Sequence, residues 1–482
     1  MNSYKKIVFI LGFLASIVIL YFVYTYFITN KSNEIAITIK VKGIQSKIAY
    51  LSLIQGGKKT IVDTTEIDGE NIRFQFQKPL PIGLYRVIID EGNYIDLIFD
   101  NKTVKMKTDI NDLVSEMNVI KSEENKQYYE YLKFSQVKNL KIFDIVAKAK
   151  ELQADTIKNT LKIDSLKKEI DLVILEKNKF ITELTSKNTN TIASRIMKSY
   201  ILPDFEAFKN KNPTTTYKNK NEYLGDHFFD YINFNDTILL NTDVFYNACN
   251  NYIRNFISAD GNGYKKAIDM VLFKSGVNTK VNNYFLNLFV ETFEESSWED
   301  VFTYLVENYY LQSYCESDDP KAKDLKDKTE AIKKLSIGNK APEIELKNEN
   351  NKSVSLYSLN SNLILLFFWK SSCEYCEESI PKLKKLYNSY KNNGFEIIAI
   401  SIDTIQTTWK DAIKKNDLKW LNVSDFKGYK SEVSKDYYVW RTPTFYLLDN
   451  YKIIISKPIS VEQIEGKLEK IFGQINIDKN TK

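Results

Sequence analysis

Cys373 and Cys376 are separated by two residues, and this spacing is where the sequence is best equipped for chemistry. Two thiols so placed can pass between dithiol and disulfide. Leu363 to Trp369 is a continuous apolar run, short enough to be a buried strand, and a helical pattern follows the pair to about Asn392. A pair that opens a helix sits among free N–H groups and partial positive charge, which favour a thiolate at the first sulfur. On this reading Cys373 is the exposed nucleophile that attacks a substrate disulfide. Cys376 is the buried thiol that resolves the mixed disulfide. The same spacing could also serve as half of a zinc site or as a static disulfide. Zinc needs four ligands, so Cys249, Cys315 and His227, the only histidine, would have to converge from elsewhere. No metal and no cofactor are expected. Cys249 and Cys315 read as free buried thiols, with a disulfide between them as the alternative.

The charges around the pair bear on direction. Glu374, Glu377 and Glu378 suit the helix dipole but oppose a thiolate at Cys373, and Lys370 offsets only part of that. The domain therefore reads as a reductant.

The elements that must position the pair come next in the chain. Gly394 leads into Phe395 to Ile402, a second buried strand, and a helix is expected around Thr408 to Lys415. Trp420 to Val423 reads as a strand, Thr444 to Leu448 and Ile453 to Ile455 as a hairpin, and Val461 to Phe472 as a closing helix. Strand, crossover helix and strand imply a parallel, right-handed unit, hence an α/β domain over 336–474.

The rest of the 482 residues divides by period, as a chain too long for one core should. Residues 34–110 alternate apolar and polar side chains between Gly, Asn and Asp turns, which predicts an antiparallel β-sandwich. Residues 120–334 carry helical spacing, as in Ile163, Leu166, Ile170 and Ile174, and predict an α-helical middle domain. The aromatics of Asp226 to Tyr231 read as core packing. Residues 7–28 are uncharged and mostly apolar, giving about 33 Å of helix, enough to span a bilayer core. With Lys5 and Lys6 before it and Tyr24, Tyr26 and Phe27 at its end, this run reads as an uncleaved transmembrane anchor. The expectation is a single-pass protein of the inner membrane, N-terminus cytoplasmic and bulk in the periplasm. A net charge of +5, with lysines interleaved among acids, excludes a nucleic-acid stripe.

Residues 336–473 resemble the TlpA/ResA-type thioredoxin-like family. The matching text is Gly338 to Pro342, Phe368 to Cys376, Ile380-Pro381, Ile400 to Asp403, Trp409 and Thr442 to Phe445. The resemblance implies a thioredoxin fold and a thiol–disulfide oxidoreductase acting on protein disulfides. It implies a membrane thiol-donating reductase as the electron source. It also implies a cis Thr442–Pro443 bond against the cysteines, with Thr442, Pro443 and Trp369 meeting substrate, Trp369 packed beside the pair and Pro381 kinking the helix. Residues 34–110 resemble the β domain of unknown function that precedes such domains in Bacteroidetes envelope proteins, and Asp226 to Tyr246 resembles a helical module found between the two. Two family features depart. Phe367 stands where thioredoxin has a buried acid, and Ser379 where relatives often carry Glu.

Two other functions compete. A thiol peroxidase expects Pro and Thr ahead of its cysteine, where Leu366 and Lys370 stand here. A partner-binding or assembly protein of the envelope, with redox activity secondary, would give the first two modules the leading role.

Overall fold

The computed structural model describes residues 35–152, 156–313 and 319–480. The chain divides into two compact units, Met1–Phe289 and Val290–Lys482.

The first unit opens on eight strands: β1 (Ile35–Lys42), β2 (Ile48–Gln55), β3 (Lys58–Glu66), β4 (Asn71–Phe76), β5 (Gly83–Ile88), β6 (Tyr94–Phe99), β7 (Val104–Asp109) and β8 (Asn118–Lys121). They form two four-stranded sheets, ordered β4-β1-β7-β8 and β3-β2-β5-β6. Period two places Ile37, Ile39 and Val41 of β1 in one core with Leu51, Leu53, Val87 and Leu97 of the other sheet. One expectation is corrected here. The sheets are not wholly antiparallel, because β1 pairs β7 in parallel, Ile37 opposite Val104 and Ile39 opposite Met106. Alternation selects the buried face of each strand but carries no direction. The chain leaves β6 in one sheet and enters β7 in the other after four residues, arriving in the same sense as β1.

Helices follow. Glu123–Leu152 and Thr156–Lys187 pack antiparallel, since Phe134 stacks on Phe180 at 3.9 Å while Lys141 meets Glu169 at 3.3 Å. Phe228 and Phe229 are buried and Tyr231 is half exposed. His227 takes Asp230 at 2.7 Å through Nδ1 and stacks on Tyr223 at 4.4 Å.

The expected transmembrane anchor and single-pass inner-membrane placement are also corrected. Among the described residues no helix is long and apolar enough to cross a membrane. The two longest described helices have 30 and 32 residues, but Lys, Glu and Asp recur along both. The run 7–28 lies outside the described residues.

The second unit holds a seven-stranded sheet ordered β10-β9-β13-β12-β11-β14-β15. Its strands are β9 (Glu345–Asn348), β10 (Ser353–Ser355), β11 (Leu363–Trp369), β12 (Phe395–Ser401), β13 (Leu421–Ser424), β14 (Thr444–Asp449) and β15 (Ile454–Ser456). β11 pairs β12 in parallel and β14 antiparallel. All seven residues of β11 are buried. Leu363, Leu365, Phe367 and Trp369 enter one core, and Ile364, Leu366 and Phe368 the other. Helices on both faces therefore require an unbroken apolar run. Each such side chain contributes roughly 1.5–3 kcal/mol by leaving water. β11 is held on both sides, and its last residue, Trp369, hands the chain to the cysteine loop. All five tryptophans of the protein lie at position 298 or later.

Candidate active site

Cys373 is the N-cap of the helix Glu374–Tyr390, its backbone extended and its Sγ accepting the N–H of Cys376 at 3.2 Å. A side chain that satisfies one of the orphan N–H groups of a helix start is held there by it. The Cys373 thiol in turn donates to the Thr442 carbonyl at 3.4 Å. The Thr442–Pro443 bond is cis. Residues 69 positions apart thus meet at one sulfur.

The two cysteines differ in environment. Cys373 is half-buried, and Cys376 is fully buried in the core that holds Trp369. Both thiols are free. Burial, followed by the hydrogen bond with Cys373, pushes the Cys376 thiol up to about 12. A thiol held protonated in this way needs its proton removed before it can attack.

Trp369 is 1% exposed. Its ring stacks near Phe367 at 6.1 Å, and Phe367 stacks on Phe445 at 5.3 Å. Trp369 lies in the buried core that also holds Cys376, closed off from solvent. Among the described residues its Nε1 has no hydrogen-bond partner. Its geometry is that of a packing residue. Phe367, standing where thioredoxin has an acid, is the middle of this aromatic stack. Ser379 turns its hydroxyl back to the Tyr375 carbonyl at 2.7 Å. Glu377 meets Lys415 at 3.3 Å. Pro381 lies inside the helix, as expected.

Two residues near the pair have contacts that the sequence reading does not foresee: Asp403, named there only as part of a matching motif, and Tyr429, not named there. Asp403 follows β12 and is 3% exposed. Its carboxylate accepts the Ser371 N–H at 3.1 Å, the Ser371 hydroxyl at 2.7 Å and the Ser401 hydroxyl at 2.7 Å. A buried carboxylate is tolerable only with such partners. These bonds fix the turn between β11 and Cys373 to the end of β12. The nearest signal in the sequence is the cluster of short polar residues at the two strand ends. Tyr429 lies in a short helical turn, Gly428–Lys430. Burial raises its hydroxyl, a hydrogen bond to Thr442 lowers it, and the charge of the cysteines raises it further. A groove of about 710 Å³ runs from Tyr375 past Thr442 and Pro443.

The fold and this pair define a thioredoxin-fold thiol–disulfide oxidoreductase, and comparison with known proteins agrees. Residues 337–457 match the AhpC/TSA family. Residues 34–128 and 175–316 match two domains of unknown function, DUF4369 and DUF5106. The thiol-disulfide oxidoreductase ResA of Bacillus cereus is 35% identical over 141 residues, covering 29% of this chain and 80% of that protein. The ResA of Oceanobacillus iheyensis is 30% identical over 147 residues, covering 29% and 75%. Among solved structures, a thiol-disulfide oxidoreductase from Bacteroides fragilis is 36% identical, with 28% of this chain and 99% of that one covered and a TM-score of 0.26. The chain belongs to the ResA-like family of thiol–disulfide oxidoreductases.

Proposed function

We propose that the chain reduces disulfides of protein substrates through Cys373 and Cys376. The observation that carries this reading is the unequal pair: Cys373 half-buried with its Sγ at a helix N-terminus and against Thr442, Cys376 buried and protonated. The Cys373 thiolate attacks one sulfur of the substrate disulfide. That S–S bond breaks and a mixed disulfide forms. Cys376 then loses its proton and attacks the Cys373 sulfur, closing the protein disulfide and releasing the second substrate thiol. Two electrons and two protons pass to the substrate. Thr442 and Pro443 contact the substrate chain, and Trp369 supports the pair from the core that holds Cys376. The oxidised pair needs a dithiol donor, and the family resemblance points to a membrane reductase for that role. The carboxylates of Glu374, Glu377 and Glu378 on the same helix support reduction as the direction.

The test is a Cys376→Ser variant, which should accumulate mixed disulfides through Cys373 that a reducing agent removes. A variant lacking both cysteines should capture nothing. If the single variant also captures no substrate, the exchange reading fails. The midpoint potential tests direction separately. A value less negative than roughly −180 mV, in the range of isomerases and strong oxidants, would sink the reductant assignment.

A further inference from the structure

The groove beside Thr442 and Pro443 is not built from the thioredoxin fold alone. Trp440, Arg441, Thr442 and Pro443 line it. Glu294, Glu299 and Lys328 also line it, and they precede the seven-stranded sheet within the same compact unit. Lys328 is almost fully buried, its ammonium 5.2 Å from the Phe302 ring and 5.7 Å from those of Tyr438 and Trp440.

The charges of this groove are mostly matched. Lys328 meets Glu294 at 3.3 Å, Lys457 meets Glu299 at 2.5 Å, and Lys382 meets Glu462 at 2.6 Å. Arg441 is the exception among these cations. Its guanidinium lies 4.7 Å over the Trp440 ring, and among the described residues it forms no ion pair. A guanidinium stacked on an aromatic keeps its edge free for a carboxylate. Arg441 also precedes Thr442, whose carbonyl touches the Cys373 thiol.

We propose that Glu294, Glu299 and Lys328, with the described residues around them, form a second wall of the substrate groove, and that its occupant is an extended polypeptide with an acidic side chain beside its disulfide cysteine, received by Arg441. The inference rests on the exchange function proposed above. Arg441 directly precedes Thr442, whose carbonyl meets the Cys373 thiol, so the acid belongs next to the cysteine in the bound chain. A groove of this volume suits several residues of chain rather than one side chain.

The experiment uses the reduced full chain and three disulfide-bonded peptides that differ only in carrying Asp, Asn or Lys next to the cysteine. An uncharged small-molecule disulfide serves as reference for the unsubstituted protein. The Asp peptide should be reduced faster than the Lys peptide by about two- to fivefold at low salt, the scale of one exposed charge pair. Arg441→Glu should reverse this preference, and Arg441→Lys should keep its sign. Glu299→Gln, on the helical wall, frees Lys457 and should raise the Asp-to-Lys ratio. Reduction of the small disulfide without any peptide preference, or a preference that Arg441→Glu leaves unmoved, overturns the assignment to Arg441 while the exchange function stands. A ratio unmoved by Glu299→Gln overturns the second wall. Failure to reduce both the small disulfide and the peptides overturns the exchange function itself.

Discussion

Asp403 holds Ser371 twice, through its backbone N–H at 3.1 Å and its hydroxyl at 2.7 Å. The two residues lie 32 positions apart and tie the ends of adjacent strands together just ahead of the cysteine helix. Asp403→Asn replaces one acceptor oxygen by a donor that faces hydroxyls already donating. The expected cost is about 1–3 kcal/mol of stability, the scale for a buried polar group left unmatched. Urea unfolding measures it. Asp403→Asn should also slow exchange more than Ser401→Ala does, because it alone releases Ser371.

The burial of Cys376 has a consequence in pH. Its thiol is raised from the ordinary range to about 12 in the folded chain. The folded state keeps this proton while the unfolded chain gives it up, so the stability from burying the neutral thiol is full below about pH 8.5 and declines between there and 12. Alkylation of the reduced native protein at pH 8 should therefore modify Cys373 and spare Cys376. The rate at Cys376 should climb about tenfold per pH unit until unfolding intervenes. Mass spectrometry of the adducts reads both sites, and equal modification of the two at pH 8 would contradict the environment described.

Phe367 sits between Trp369 and Phe445 in a fully buried stack. Restoring an acid there by Phe367→Asp removes the ring and buries a carboxyl among apolar neighbours. The expected loss is about 3–5 kcal/mol, the scale of a large-to-small core change, with the buried polar group adding to it. Denaturant unfolding checks it. A nearly neutral outcome would mean that a polar partner stands ready at this position.

Gly83 begins β5 against Asn241, and a Cβ on it would overlap the Asn241 backbone. Asn241 is itself fixed, donating to the Ile82 carbonyl at 3.0 Å and accepting from the Gln55 amide at 3.0 Å. Gly83→Val should destabilise the first unit by about 1–3 kcal/mol, as overpacking does. Circular dichroism during thermal unfolding should register it. An unchanged transition would show that the turn before Asn241 gives way freely.

What could be read in advance follows from the range of each interaction. The apolar run of β11, the cysteine pair and the helix after it are local, and one window of sequence contains them all. The Asp403 to Ser371 bonds, the Glu299 to Lys457 pair and the parallel pairing of β1 with β7 join positions that no local period relates. Direction of pairing leaves no mark on alternation, so the first sheet could be read for its faces and not for its sense. Trp369 is local too: it ends the apolar run, and it lies in the buried core that holds Cys376.

The confinement of every tryptophan to position 298 and beyond gives the protein a built-in optical division of labour. Emission from this chain reports on the second unit alone, while the first is dark apart from its tyrosines. Trp369 shares a core with Cys376, so a change in oxidation state at that sulfur should alter its light, and a redox titration could be followed without any added dye.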